Sequence, residues 1–339
     1  MEQTKIEKYL ENTLLGKLGN EKGKNYYSDY QSARKYLFED IMPNIKGIEP
    51  NLTDHSEKHI ENVLDNVWRL LTIKDNEVKT EIGIDALSCY ELYVLCLSVL
   101  FHDVGNINGR NNHNVKISDV YDKLRNNNTK YNSERALILK AAKAHCGEAK
   151  DGSRDTLKEI DKNCQSLSGE PIQLLDIASI LRLADELAEG PQRTSDYIID
   201  KKKIKKESVI YNRYAQITDV LIDRGNGRIV LTYRINIKGK TIKQLTELLQ
   251  FTYERIIKLD EERKYTKFHS QFLAPFKQTE ITFDFRNGEK EIELEGLKKI
   301  ILKDTCVIPG ANKPNANDLI SQFIALDIDE IINQLKIRK

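Results

Sequence analysis

The chain has 339 residues, longer than one hydrophobic core usually fills, so a main domain with a smaller attachment is expected. Hydrophobic residues at 40% and charged residues at 31% exclude an intrinsically disordered chain, and 17 Gly with 7 Pro exclude a collagen-like or linker-dominated one. Lys+Arg numbers 53 against 52 Asp+Glu, a net charge of +1, which removes a global electrostatic case for nucleic-acid binding.

Taken in chain order, residues 1–50 read as an N-terminal helical extension in two pieces. Ile6, Leu10 and Leu14 repeat at helical spacing, and Pro43, Gly47 and Pro50 then break the pattern. The start, MEQTKIEKYLENTL, lacks the apolar core of a signal peptide. A helix follows to about Ile73, with Thr53 or Asp54 as N-cap and Ile60, Val63, Leu64, Val67, Leu70 and Leu71 on one face. The run Glu91–Phe101 is apolar nearly all round and predicts a buried central helix, with Gly105 as its C-terminal cap. A polar loop at 106–113 precedes helices at about 114–125, 132–146 and 171–189. The last is predicted to start near Pro171 and stop at Gly190-Pro191.

After residue 195 the composition changes. Lys201–Lys206 is almost all lysine, read as a solvated segment or, alternatively, a contact for nucleic acid. Ile210–Ile222 and Arg228–Ile237 flank Gly225-Asn226-Gly227 and predict a hairpin. A helix at 241–263 carries the stripe Ile242, Leu245, Leu248, Leu249, Tyr253 and Ile256, a core or homo-oligomer face. A second hairpin is expected around Asn287-Gly288, and a final helix at 316–336. The fold class is mainly α: a helical extension at 1–50, an all-helical domain at 51–195 and a smaller α+β region at 196–339.

No stretch approaches the ~20 apolar residues of a membrane span. The five cysteines, Cys89, Cys96, Cys146, Cys164 and Cys306, are odd in number and lack CxxC spacing. They read as reduced, mostly buried thiols of a cytoplasmic protein.

Of the six histidines, five fall in the helical domain: His55, His59, His102, His113 and His145. His55 and His59 share one helix face, and His102 is followed at once by Asp103 at the end of the most buried helix. Asp185 sits in the apolar segment Asp176–Leu187, where an aspartate is paired or binds a metal. A bland reading pairs Asp185 with Arg182 or Arg193, and puts His113 on the surface of an Asn-rich loop. The sharper reading is a metal site. Imidazole and carboxylate together suit Fe, Mn, Zn or Ni, and side chains from several helices can converge on such ions. Two ions bridged by an Asp can hold a hydroxide nucleophile and steady both ends of a phosphoryl displacement. Arg193, Lys58 and Arg110 are candidates to hold a substrate phosphate.

His59-Ile-Glu-Asn-Val63, His102-Asp103-Val-Gly and Ala184-Asp185, in that order on helices, resemble the H…HD…D signature of the HD superfamily of metal-dependent phosphohydrolases. The resemblance spans roughly 51–195 and implies an all-α core. The phrases HSxxHxxxV and LRLADELAEGPQR are similar to a bacterial HD branch encoded beside heat-shock-type ATPases in conflict or stress operons, which implies a partner ATPase. Carried over, it implies that His59, His102, Asp103 and Asp185 hold a first divalent ion (Mn, Fe, Zn, Ni or Mg), with Asp103 bridging. His113 and His145 would serve a second ion, and His55 would be the general acid that protonates the leaving oxygen. The chain departs from the HD-GYP branch at Asn106, where that branch has Lys and then its GYP triplet. The implied activity is metal-dependent cleavage of a phosphoester in a nucleotide, cyclic nucleotide or nucleic acid. Two alternatives stand beside it: a non-catalytic nucleotide sensor or partner-binding module, and an HD nuclease in a defence system.

Overall fold

A computed structural model describes residues 2–48, 57–73, 82–109, 113, 116–161, 165–194, 206–297, 299–305 and 314–335. His55, Arg110, Cys164, Cys306 and residues 201–205 of the lysine run lie outside them. The chain forms two compact units. The first holds residues 1–188 and 266–275, the second 189–265 and 276–339. Among the described residues, no helix is long and apolar enough to cross a membrane.

The first unit is helical. Helix α1 (Lys5–Tyr36) is kinked at Gly19, whose φ of 77° only glycine adopts at low cost. A π turn at Leu37–Ile41 leads without interruption into α2 (Met42–Ile48), so Pro43 lies within a continuous helical run and does not break the chain there. Helix α3 (Glu57–Leu71) buries the predicted stripe completely. Helix α4 (Cys89–Phe101) is the central rod, buried on every side. Ser88 and Glu91 close a reciprocal capping box at its start, worth about 1 kcal/mol. Helices α5 (Ile117–Leu124) and α6 (Asn132–Lys143) follow. A salt-bridged network joins three of these helices. Glu134 of α6 accepts from Tyr93 of α4 at 2.8 Å, Tyr121 of α5 at 2.6 Å and Arg125 at 2.7 Å.

A two-stranded hairpin, β1 (Gln165–Leu167) and β2 (Glu170–Ile172), takes in Pro171 and Ile172, the expected start of the helix at 171–189. Ser168 and Gly169 both have positive φ, the conformation of a tight hairpin turn, and Pro171 lies in β2. Helix α7 (Leu174–Glu186) starts only after it. The Gln173 N–H donates to Oε1 of Glu91 at 2.9 Å, so the acid that caps α4 also holds the start of α7.

The second unit is a mixed sheet with helices. Residues 210–217, expected as the first part of a strand, lie instead in helix α8 (Lys206–Ile217). Tyr211 and Tyr214, three apart, both pack edge-on against Phe251, which a strand would prevent by sending them to opposite faces. Strand β3 (Thr218–Asp223) pairs with β4 (Arg228–Asn236) as the expected hairpin. Helix α9 (Ile242–His269) runs six residues beyond its expected end and buries Leu245, Leu248, Leu249, Tyr253 and Ile256. It joins β4 to a parallel β5 (Gln278–Asn287), which also pairs with β6 (Lys290–Ile292) and β7 (Ile300–Lys303). The expected last helix is two short ones, α10 (Ala316–Gln322) and α11 (Ile328–Gln334).

Candidate metal centre

Six of the candidate residues meet in the first unit. His59 comes from α3, His102 and Asp103 from the end of α4, His113 from the loop that follows, His145 from the turn after α6, and Asp185 from the last turn of α7. Backbone anchors hold these elements in place. Asn66 of α3 donates to the Ala184 carbonyl of α7 at 3.0 Å, tying the helices of His59 and Asp185 together. Buried Arg182 of α7 donates to Thr156 Oγ1 at 2.7 Å, and Thr156 donates to the Ala144 carbonyl at 2.6 Å, just before His145.

His102 and His145 use the same device. Each lies just past a helix and sends Nδ1 to the carbonyl three residues back, Val99 at 2.8 Å for His102 and Ala142 for His145. A carbonyl only accepts, so Nδ1 carries the proton and Nε2 is turned to the centre, the usual arrangement of a ligating imidazole.

Asp103 lies in the middle, almost fully buried. Its Oδ2 is 3.3 Å from His102 Nε2 and 3.5 Å from His59 Nε2. Its Oδ1 is 3.4 Å from His113 Nε2 and 3.7 Å from His145 Nε2. Asp185 Oδ1 closes the first half, 3.1 Å from His59 Nε2 and 3.5 Å from His102 Nε2. The Asn106 side chain donates to Asp103 Oδ1 at 3.2 Å and fixes the carboxylate plane.

These spacings fit metal ligation. Donors about 2.0–2.3 Å from one ion stand roughly 2.9–3.6 Å apart at angles of ~90–110°. All but the His145 contact fall in that range. Nε2 of His102 is buried yet makes no hydrogen bond, although two carboxylate oxygens lie near it, so it is aimed at a shared point. The clusters His59–His102–Asp185 and His102–Asp103–His145 can hold one or two divalent ions.

The electrostatics of the cluster favour positive charge between its carboxylates. Burial pulls His102 down, but Asp103 and Asp185 outweigh it and raise the imidazole to about 10. His113 is raised to about 9 against burial, by Asp103 and Cys146, and buried His145 is raised well above its usual value by Cys146, Asp103 and Asp185. Asp185, which burial would push up, is held well below the carboxylate range by His102 and His59. Metals displace such protons on binding.

Of the remaining candidates, His55 and Arg110 lie outside the described residues. Lys58 is exposed on α3, next to His59. Arg193 belongs to the second unit, buried 3.6 Å from Glu189, which also takes Arg255 at 3.1 Å. Sequence reasoning assigned no role to two residues at the centre. Asn106 was noted only as a departure from another HD branch. Cys146 is half-buried, with Sγ 3.4 Å from His113 Nε2, and His145 and His113 pull its thiol down to about 6 against burial. The dipeptide His145-Cys146 after a helix was the available signal.

Gly105, expected as a helix cap, has another reason to be glycine. A Cβ there would lie 1.8 Å from the His113 carbonyl oxygen. The missing side chain lets the His113 loop close onto the Asp103 turn.

A search of curated proteins finds no match to this chain. The profile of the HD-CE family matches residues 49–254, more than half of the chain and the whole run from α3 to α7 that carries the centre. The chain therefore belongs to the HD-CE family, an HD-type family of metal-dependent phosphohydrolases.

Proposed function

We propose that this protein hydrolyses a phosphoester of a nucleotide, cyclic nucleotide or nucleic acid at this centre. The observation that carries the reading is the placement of Asp103, one carboxylate with imidazoles facing each of its two oxygens. His59, His102, Asp103 and Asp185 would hold one divalent ion, and Asp103, His113 and His145 a second. Bound there, divalent ions lower the pKa of water and offset charge on a phosphoryl group.

The protein's own groups do the rest. The Nδ1 bonds to Val99 and Ala142 keep His102 and His145 in one tautomer. Asn106 orients Asp103. His55, four residues before His59, is the proposed proton donor to the leaving oxygen, because imidazole titrates near neutrality. Lys58 and Arg110 are proposed phosphate contacts.

The test is metal analysis of the purified chain beside hydrolysis of a generic phosphodiester and a panel of natural nucleotides, for wild type and Asp103→Ala. Bound metal with turnover in wild type alone supports the reading. Bound metal and nucleotide-induced thermal shifts without turnover on any member of the panel would favour a non-catalytic sensor. Absence of metal under every loading condition would sink both.

A further inference from the structure

The two halves of the centre differ in donor chemistry. Among the described residues, the neighbours on the Oδ2 side of Asp103 are imidazole and carboxylate. On the Oδ1 side, His113 and His145 share a cluster with a sulfur, Cys146 Sγ, all three donor atoms lying within 4.8 Å of one another. The Sγ to His113 Nε2 distance is 3.4 Å. A tetrahedral ion with a sulfur ligand at ~2.3 Å and an imidazole at ~2.0–2.1 Å sets those atoms roughly 3.6 Å apart.

Two backbone features bring the sulfur there. His145 and Cys146 are consecutive in the turn after α6, and the Arg182–Thr156–Ala144 chain of hydrogen bonds holds that turn. Gly105 permits the backbone contact that delivers His113 from the other side. The cysteine and the histidine are far apart in sequence, so the fold alone pairs them.

We propose that Cys146 is a protein ligand of the second ion, completing a set of Asp103 Oδ1, His113, His145 and Cys146, and that this half takes a borderline-soft ion of the zinc class. Thiolate donors favour such ions over hard magnesium, whereas among the described residues the first half carries no sulfur and discriminates less. The assignment rests on the two-ion reading above and deepens it. The two positions are chemically unequal, and a mixed-metal state is accessible to one chain.

Cobalt(II) and zinc loading of the full-length chain tests this. Cobalt-loaded wild type is expected to show a thiolate-to-cobalt charge-transfer absorption for one of its two equivalents, absent in Cys146→Ser. That variant retains one equivalent of zinc and loses affinity for the other by more than the roughly 10–100-fold that removing an outer-shell partner costs. A measurement on wild type alone is independent of how the variant folds. Zinc should shield Cys146 from iodoacetamide, read by peptide mass spectrometry, while half-buried Cys89 keeps its rate. Bound metal without the absorption, or zinc that leaves Cys146 alkylation unchanged, overturns the cysteine assignment and leaves the two-ion reading intact. A wild type that takes up no divalent ion overturns both.

Discussion

Asp103 turns its Oδ1 toward His113, 3.4 Å from Nε2, while its other oxygen faces the helix bundle. A carboxylate divided this way can bridge two ions. Asp103→Ala is expected to lower metal content at both positions and to cut phosphodiester turnover by about 10³-fold, the several kcal/mol that metal-ion charge stabilisation supplies. Asp185→Asn should weaken one equivalent only. Metal titration by calorimetry separates the two patterns, and equal losses in both variants would contradict the bridging role.

The Asn106 side chain donates to Asp103 Oδ1 and is not itself a proposed ligand. Asn106→Ala should leave the donor set whole and weaken metal affinity by about 10–100-fold. Asn106→Asp, which places a second carboxylate beside the first, should be worse than Ala. Competition against a chromophoric chelator measures both.

Gly105→Ala introduces a methyl where the His113 carbonyl already stands. Relief requires backbone movement costing about 1–3 kcal/mol. The second metal equivalent should be lost first, because His113 moves while His59, His102 and Asp185 stay. A variant with both equivalents at wild-type affinity would show that the loop position does not matter to binding.

Glu134 is the hub of the first unit. Removing it in Glu134→Ala leaves Arg125 buried beside Tyr93 and Tyr121 without its main counter-charge. The expected loss is about 3–5 kcal/mol in urea or thermal unfolding. Glu134→Gln, which keeps the shape and part of the hydrogen bonding, should cost less than Ala.

The sheet of the second unit carries an acid-sensitive cluster. Burial raises Glu280, but Lys299 and Arg228 outweigh it and hold the carboxyl below its ordinary 4.5. Asp223 is likewise held below 3.8, against burial, by Arg228 and Asn226. Depressed carboxyls add stability in full above their unfolded pKa, and the contribution drains as pH falls through the folded value. Arg228→Leu should therefore lower the unfolding midpoint at pH 7 and narrow its difference from wild type below about pH 4. A gap that stays constant down to pH 3 would argue against the pair.

The helical centre was legible because its elements carry strong 3.6-residue patterns and because His102-Asp103 ends a run too apolar to face water. Asp185 stood out for the same reason: a charge inside an apolar helix needs a partner. Cys146 was not legible, since its contact with His113 spans 33 residues of chain and exists only once α6 and the loop after α4 have packed. Gly105 misled for a related reason, because a glycine after a helix is usually a cap and its true constraint comes from another segment. The misreading of 210–217 shows propensity yielding to tertiary packing. Its β-branched and aromatic residues favour a strand locally, and the joint packing of Tyr211 and Tyr214 on Phe251 decides for helix. Pro171 marked a helix start in the sequence but sits in a hairpin strand, a position a two-stranded edge tolerates equally.

Glu91 holds the start of α4 with one oxygen and the start of α7 with the other. Both helices are 13 residues long. They act as two rulers of equal length, about 20 Å each, read from a common zero mark. His102 and Asp185 stand near the far ends, so their spacing is gauged from a point well outside the chemistry. Adding one residue to either ruler would advance its ligand by about 1.5 Å and turn it by ~100°. A chain that keeps every ligand but changes the length of one helix would thus lose the centre.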